Sequence, residues 1–99
     1  MARVKPVVVR TADQLANALD LTPAEVHEWD FRIQLTRRIV KEMESRQLTH
    51  SEVARLAGTS RTRVTAIVNG GLVDISSDLL LRILGSLGIR VKATFLKAA

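Results

Sequence analysis

The sequence predicts a mainly α-helical single domain with a short β-strand at each end. Three observations in its 99 residues carry that prediction. Hydroxyl residues stand just ahead of apolar-periodic runs at Thr22, Thr49, Ser60 and Ser76 or Ser77, where a side-chain oxygen can take the free N–H groups of a helix start. Glycine follows several of these runs, at Gly58, Gly70 and Gly88, where a helix end calls for positive φ. The two end segments, 4–10 and 89–96, have β-branched or alternating patterns instead of helical ones.

Along the chain, Val4, Val7, Val8 and Val9 suggest a strand. Pro6 lacks an N–H and confines that strand to a sheet edge or to the residues after it. Thr11-Ala12-Asp13-Gln14 resembles a capping box, followed by a short helix with Leu15, Ala16 and Leu19 on one side. Thr22-Pro23-Ala24-Glu25 is a stronger start, since it adds a proline at the first helical position. Trp29, Ile33, Thr36, Val40 and Met43 then recur at helical spacing, widened by Leu35 and Ile39. This predicts one long helix to Arg46, or two with a bend near residues 27–30. Its opposite face carries Arg32, Arg37, Arg38, Lys41 and Glu44.

Thr49-His50-Ser51-Glu52 is a third capping box, opening a helix that Gly58 closes. Ser60 caps another, Arg61 to about Val68, which ends at Asn69-Gly70-Gly71. A last helix runs through Leu87 to Gly88, and Gly85 inside it suggests a close helix approach. Residues 89–96 alternate apolar and polar like a half-buried strand. The divisions are therefore an arm at 1–10, an acidic helix plus the long helix at 11–47, a core at 48–88 and a strand at 89–99.

Composition removes several functions. With no cysteine, disulfide scaffolds, Cys-ligated zinc and thiol catalysis are excluded, and a reducing cytoplasm is the expected setting. Apolar runs stop at three residues, as at Leu79-Leu80-Leu81, so neither a membrane span nor a signal-peptide core is expected. Only Trp29, Phe31 and Phe95 are aromatic, too few for a base-stacking platform. His27-Glu28-Trp29-Asp30 fails the His-Glu-x-x-His zinc pattern because position 31 is Phe; a solvated first helical turn explains it better. No nucleophilic triad or carboxylate pair follows from spacing. No enzyme activity, metal or cofactor is expected. The net charge of +5 is uneven: residues 11–30 hold five acids and no base, whereas 31–63 hold eight bases and three acids. Such a split suits either two faces with different partners or a dipolar solvated surface.

Residues 48–71 carry the most specific pattern. Two short capped helices flank a turn containing Gly58, and Ala54, four residues earlier, is small enough to let them approach closely. Val64 and Ile67 fall on the inner face of the second helix. This is the spacing of a helix-turn-helix, whose second helix enters the DNA major groove. Arg61, Thr62, Arg63, Thr65 and Ala66 are left facing outward. Arg can bond guanine with two parallel hydrogen bonds, and Thr can meet a base edge or a thymine methyl. The helix start at Ser60 favours a phosphate. A plain helical hairpin with solvated arginines is the competing explanation.

Over Leu48–Leu87 the sequence resembles the Cro/lambda-repressor-like, or XRE, family. The resemblance rests on Leu48-Thr49-His50-Ser51-Glu52-Val53-Ala54-Arg55-Leu56-Ala57-Gly58-Thr59-Ser60, on Arg61 to Gly70, and on Leu79-Leu80-Leu81-Arg82-Ile83-Leu84 with Leu87-Gly88. It implies a lambda-repressor-like helix-turn-helix bundle. It also implies that Arg61, Thr62 and Arg63 read bases, that Asn69 grips the backbone, and that His50 stands where the family often places a phosphate-contacting Gln. With Ser60 and Thr65, these are the candidate DNA-binding residues. The strand in place of a fifth helix and the acidic segment ahead of the core look like HigA-type antitoxins of HigBA/RelBE modules. That similarity is one of layout. It implies a cytoplasmic, nucleoid-associated repressor of its own operon that also binds a basic ribonuclease toxin, here through Asp13, Asp20, Glu25 and Glu28.

Each end strand is too short to be stable alone, which suggests a homodimer in which residues 89–96 pair across a twofold axis, with 4–10 added at the edge. A dimer suits a palindromic operator with half-sites about 34–36 Å apart. Two other functions fit the same residues. One is a stand-alone regulator without a toxin; the other is a protein-interaction module that no longer reads DNA.

Overall fold

The structure, a computed structural model, describes residues 20–97 of the chain. Among them are four helices: α1 (Pro23–Arg46), α2 (His50–Ala57), α3 (Arg61–Val68) and α4 (Ser77–Ser86). The strand expected over residues 4–10 and the helix expected after Thr11 lie outside the described residues.

The caps explain where each helix begins. Thr22 Oγ1 accepts from the Glu25 N–H at 3.3 Å, and Glu25 Oε2 accepts from the Thr22 N–H at 2.7 Å, closing the reciprocal box ahead of Pro23. These bonds to Thr22, the backbone one first, hold the Glu25 carboxyl below its ordinary value. α1 then runs as one helix of 24 residues rather than two. It ends where Gln47 turns left-handed (φ 53°) and the Leu48 N–H reaches back to the Met43 carbonyl at 2.9 Å. Thr49, Ser60 and Ser76 cap α2, α3 and α4 by accepting the N–H three residues on, at 3.1, 3.1 and 3.2 Å. At Thr49 only this half of the expected box forms among the described hydrogen bonds.

One core holds the helices together. Ile39 of α1, Val53 of α2, Val64 and Ile67 of α3, and Leu80, Ile83 and Leu84 of α4 are fully buried. Leu72 and Ile75, from the loop between α3 and α4, and Leu87 close it. α1 packs chiefly on α4 and α2 on α3, while α2 also touches α4. Two polar ties pin α1 to α4. Arg46 Nη1 donates to the Leu87 carbonyl at 2.7 Å, and Arg32 Nε donates to Ser77 Oγ at 3.4 Å. Arg32 also sits 4.9 Å from the centre of the half-buried Trp29 ring and pairs with Glu28 at 2.8 Å.

Two expectations are corrected. Residues 89–97 form neither helix nor strand, so the C-terminal strand over 89–96 is absent. The physical reason is a missing partner: a strand needs a second strand to take its N–H and C=O groups, and no described residue is in a strand. Ile89 is held by its N–H to the Leu84 carbonyl at 2.9 Å and packs on the core. Beyond it Val91, Phe95 and Leu96 are exposed, the last two at 96% and 89%. Nor does Gly85 mark a close helix approach: an added Cβ there meets nothing within 4 Å.

Candidate nucleic-acid interface

α2 and α3 are joined by a turn that depends on Gly58. Its φ of 67° is left-handed, and the following Thr59 N–H closes on the Ala54 carbonyl at 3.0 Å. Ala54 is buried where the two helices meet, as its small size suggests. Val64 and Ile67 anchor α3 from beneath. The buried side of α3 is thus fixed by apolar packing, and its opposite side is fixed with it.

Ser60, Arg61, Thr62 and Arg63 are all exposed, on the cap and first turn of α3. Ser60 Oγ takes only the Arg63 N–H, so the Arg61 and Thr62 N–H groups stay at the open end of the helix, where the dipole favours an anion. Asn69 is exposed at the other end of α3, about 12 Å along the axis from Arg61 at helical rise. Thr65 and Ala66 differ from expectation: both are half-buried, not outward. Thr65 Oγ1 is tied to His50 Nδ1 at 2.8 Å, so two candidate residues on different helices form one pair on the flank of α3.

Electrostatics separates the arginines. On α1, Arg32 pairs with Glu28 at 2.8 Å, and Glu42 takes both Arg38 at 3.0 Å and Arg46 at 3.9 Å. These cations are internally compensated. Arg61 and Arg63, like Arg55, Arg82 and Arg90, have no ion pair or side-chain hydrogen bond among the described residues, but only these two stand on the first turn of α3. Their charge is left for something outside the described residues, and the dipole end beside them favours an anion there too.

The acidic residues near α1 have local roles. Glu25 closes the cap box, Glu28 pairs with Arg32, and Asp30 accepts from Gln34 at 2.7 Å. Asp20 stands in a left-handed turn (φ 52°), and Asp13 lies outside the described residues. Among the described residues no group of three metal-ligating side chains comes together, and no helix is long and apolar enough to cross a membrane.

Residue types alone did not disclose the His50–Thr65 pair or the compensation of the α1 arginines. The second had a signal in the sequence: Glu28–Arg32, Arg38–Glu42 and Glu42–Arg46 are all spaced four apart. The first, fifteen residues apart on two helices, had none.

A family model described as a helix-turn-helix domain matches residues 15–94, more than half of the chain. No curated protein and no solved structure matches it.

Proposed function

Since the chain belongs to the helix-turn-helix domain family and is thereby a DNA-binding protein, we propose that it is a sequence-specific transcriptional repressor that reads duplex DNA through α3. The observation that carries this reading is the state of Arg61 and Arg63. They are exposed, have no partner within the described chain, and stand at the open N-terminal end of a helix buried on its other side. Arg61, Thr62 and Arg63 contact base edges, and Ser60, His50 and Asn69 hold phosphates on either side.

The repressor acts as a homodimer on a palindromic operator. The exposed apolar side chains of Val91, Phe95 and Leu96 support this, because a second copy's tail would supply a strand neighbour that the described residues lack. Its setting is the cytoplasm. The finer role is that of an XRE-family, HigA-type antitoxin whose acidic N-terminal stretch meets a basic toxin. Since Glu25 and Glu28 already have intramolecular partners, Asp13 and Asp20 carry that contact most directly.

Fluorescence anisotropy on a duplex selected from a random pool tests the DNA reading, with salt varied. Binding should be tight and fall steeply with salt. Weak, salt-insensitive binding to every duplex would reject it. Sedimentation on and off DNA tests the dimer, and a monomer in both states would reject it. A basic ribonuclease-like reading frame beside the gene, whose product co-purifies with this chain, would support the antitoxin role.

A further inference from the structure

Between α1 and the end of α3 the described residues border a cavity of about 320 Å³. Its floor is apolar, made by Ile33 and Val40 of α1, Ile67 and Val68 of α3, and Leu72 from the loop that follows. Ile33, Ile67 and Leu72 also belong to the packed core, which fixes the floor from beneath. The volume lies at the lower end of the range for small-molecule sites.

Thr36 lines the same cavity. Its Oγ1 is the one buried side-chain oxygen or nitrogen among the described residues that has no hydrogen-bond partner. The other buried residues of α1 are Ile33, Leu35, Ile39 and Met43, all apolar. A hydroxyl in such a stripe costs stability unless something takes its hydrogen bond. A guest in the cavity can be that partner. Because Oγ1 lies beneath the lining, the guest meets it after a step in χ1, for which a helical threonine has two favourable wells.

Charge selects the guest. Arg37 and Lys41, both exposed, line the rim against a single acid, Glu44. Lys41 has no ion pair or side-chain hydrogen bond among the described residues. Glu44 stands about 12 Å from Thr36 along the axis at helical rise, whereas Arg37 is its neighbour in sequence. The end of the cavity that holds the hydroxyl is therefore the one that favours an anion.

We propose that this cavity binds a small organic acid. Its apolar body lies on the floor of Ile33, Val40, Ile67 and Leu72, and its carboxylate accepts from the Thr36 hydroxyl beside the Arg37 and Lys41 cations. Val68 and Asn69 form the opposite wall, so the bound acid is felt at the end of α3. The assignment goes beyond the DNA-binding reading and does not depend on it.

Octanoate is the probe, with octanamide and octylammonium carrying the same chain under a neutral and a positive head. Amide NMR of the full chain follows each titration. Octanoate should shift the amides of Val40, Lys41, Val68 and Asn69 along saturable curves with a Kd of about 0.1–1 mM. Octanamide should bind more weakly and octylammonium not at all. Thr36→Val keeps the shape of the side chain and should lose about tenfold in affinity, while Thr36→Ser should retain it. Lys41→Gln should lose about threefold. Arg55→Gln, which removes an unpaired cation outside the cavity, should lose nothing. Octylammonium binding as tightly as octanoate, octanoate shifts confined to Phe95 and Leu96, or a Thr36→Val Kd equal to that of wild type overturns the proposal. So does a shift of the same four amides on dilution of the chain alone, because a second copy then covers the cavity. Each of these results leaves the DNA-binding reading to its own duplex titrations.

Discussion

Arg46 Nη1 lies 2.7 Å from the carbonyl oxygen of Leu87, joining the last turn of α1 to the residue that ends α4. That carbonyl is one of the acceptors a helix end leaves without an internal partner. A charged donor from another helix satisfies it, just where the chain turns at Gly88 (φ 79°) towards its exposed tail. Arg46→Ala should cost about 1.5–2 kcal/mol in urea unfolding, the low end of the range for a hydrogen bond to a charged group, because the side chain is partly exposed. An unchanged midpoint would show that water replaces the guanidinium without loss.

Thr36 offers the opposite sign. It belongs to the buried stripe of α1, yet its Oγ1 is buried without a hydrogen-bond partner among the described residues. Valine has nearly the same shape and no polar atom to leave unpaired. Thr36→Val should therefore stabilise the fold by about 1 kcal/mol, seen as a higher melting temperature. A loss of stability would mean that the hydroxyl has a partner in solution.

Gly85 is also improvable. It lies inside α4, is exposed, and has open space where a Cβ would go. Gly85→Ala should gain about 0.5–1 kcal/mol by helix propensity alone. Destabilisation instead would point to a partner on that surface, whether a second copy or another protein.

Local chemistry was the legible part of this fold. Thr22, Thr49, Ser60 and Ser76 each cap a helix that their positions announced, because a cap involves residues three apart. The Gly58 turn and the inward Val64 and Ile67 were readable for the same reason. What depended on distant residues was not. The alternation of 89–96 records a strand's pattern but not the neighbour a strand needs, and among the described residues Phe95 and Leu96 are exposed. Helical phase points Thr65 outward, yet α2 places His50 against it. Of the candidate DNA contacts, Ser60, Arg61, Thr62, Arg63 and Asn69 are exposed as expected, since the core residues beneath α3 dictate its outer face.

The acid end of the stability curve has one assignable contributor in Glu25. Its carboxyl is held low by the Thr22 hydrogen bonds, so its stabilising effect is present above the ordinary carboxylate range and is lost as pH falls through its lowered folded-state value. An NMR titration should find it below an ordinary Glu, and Thr22→Ala, which removes the side chain but keeps the backbone N–H, should raise it only part of the way back. A Glu25 that titrates normally in the intact chain would mean that the cap box opens in solution.

The central claim is that α3 reads sequence through Arg61 and Arg63. The most direct measurement compares Arg61→Ala and Arg63→Ala with wild type on the selected duplex and on a set of single-base-pair variants of it. Each substitution should cost about 1–3 kcal/mol on the selected duplex and relax the preference at one base pair, leaving the others ranked as before. A loss equal on every duplex would place these arginines on phosphates and contradict the claim.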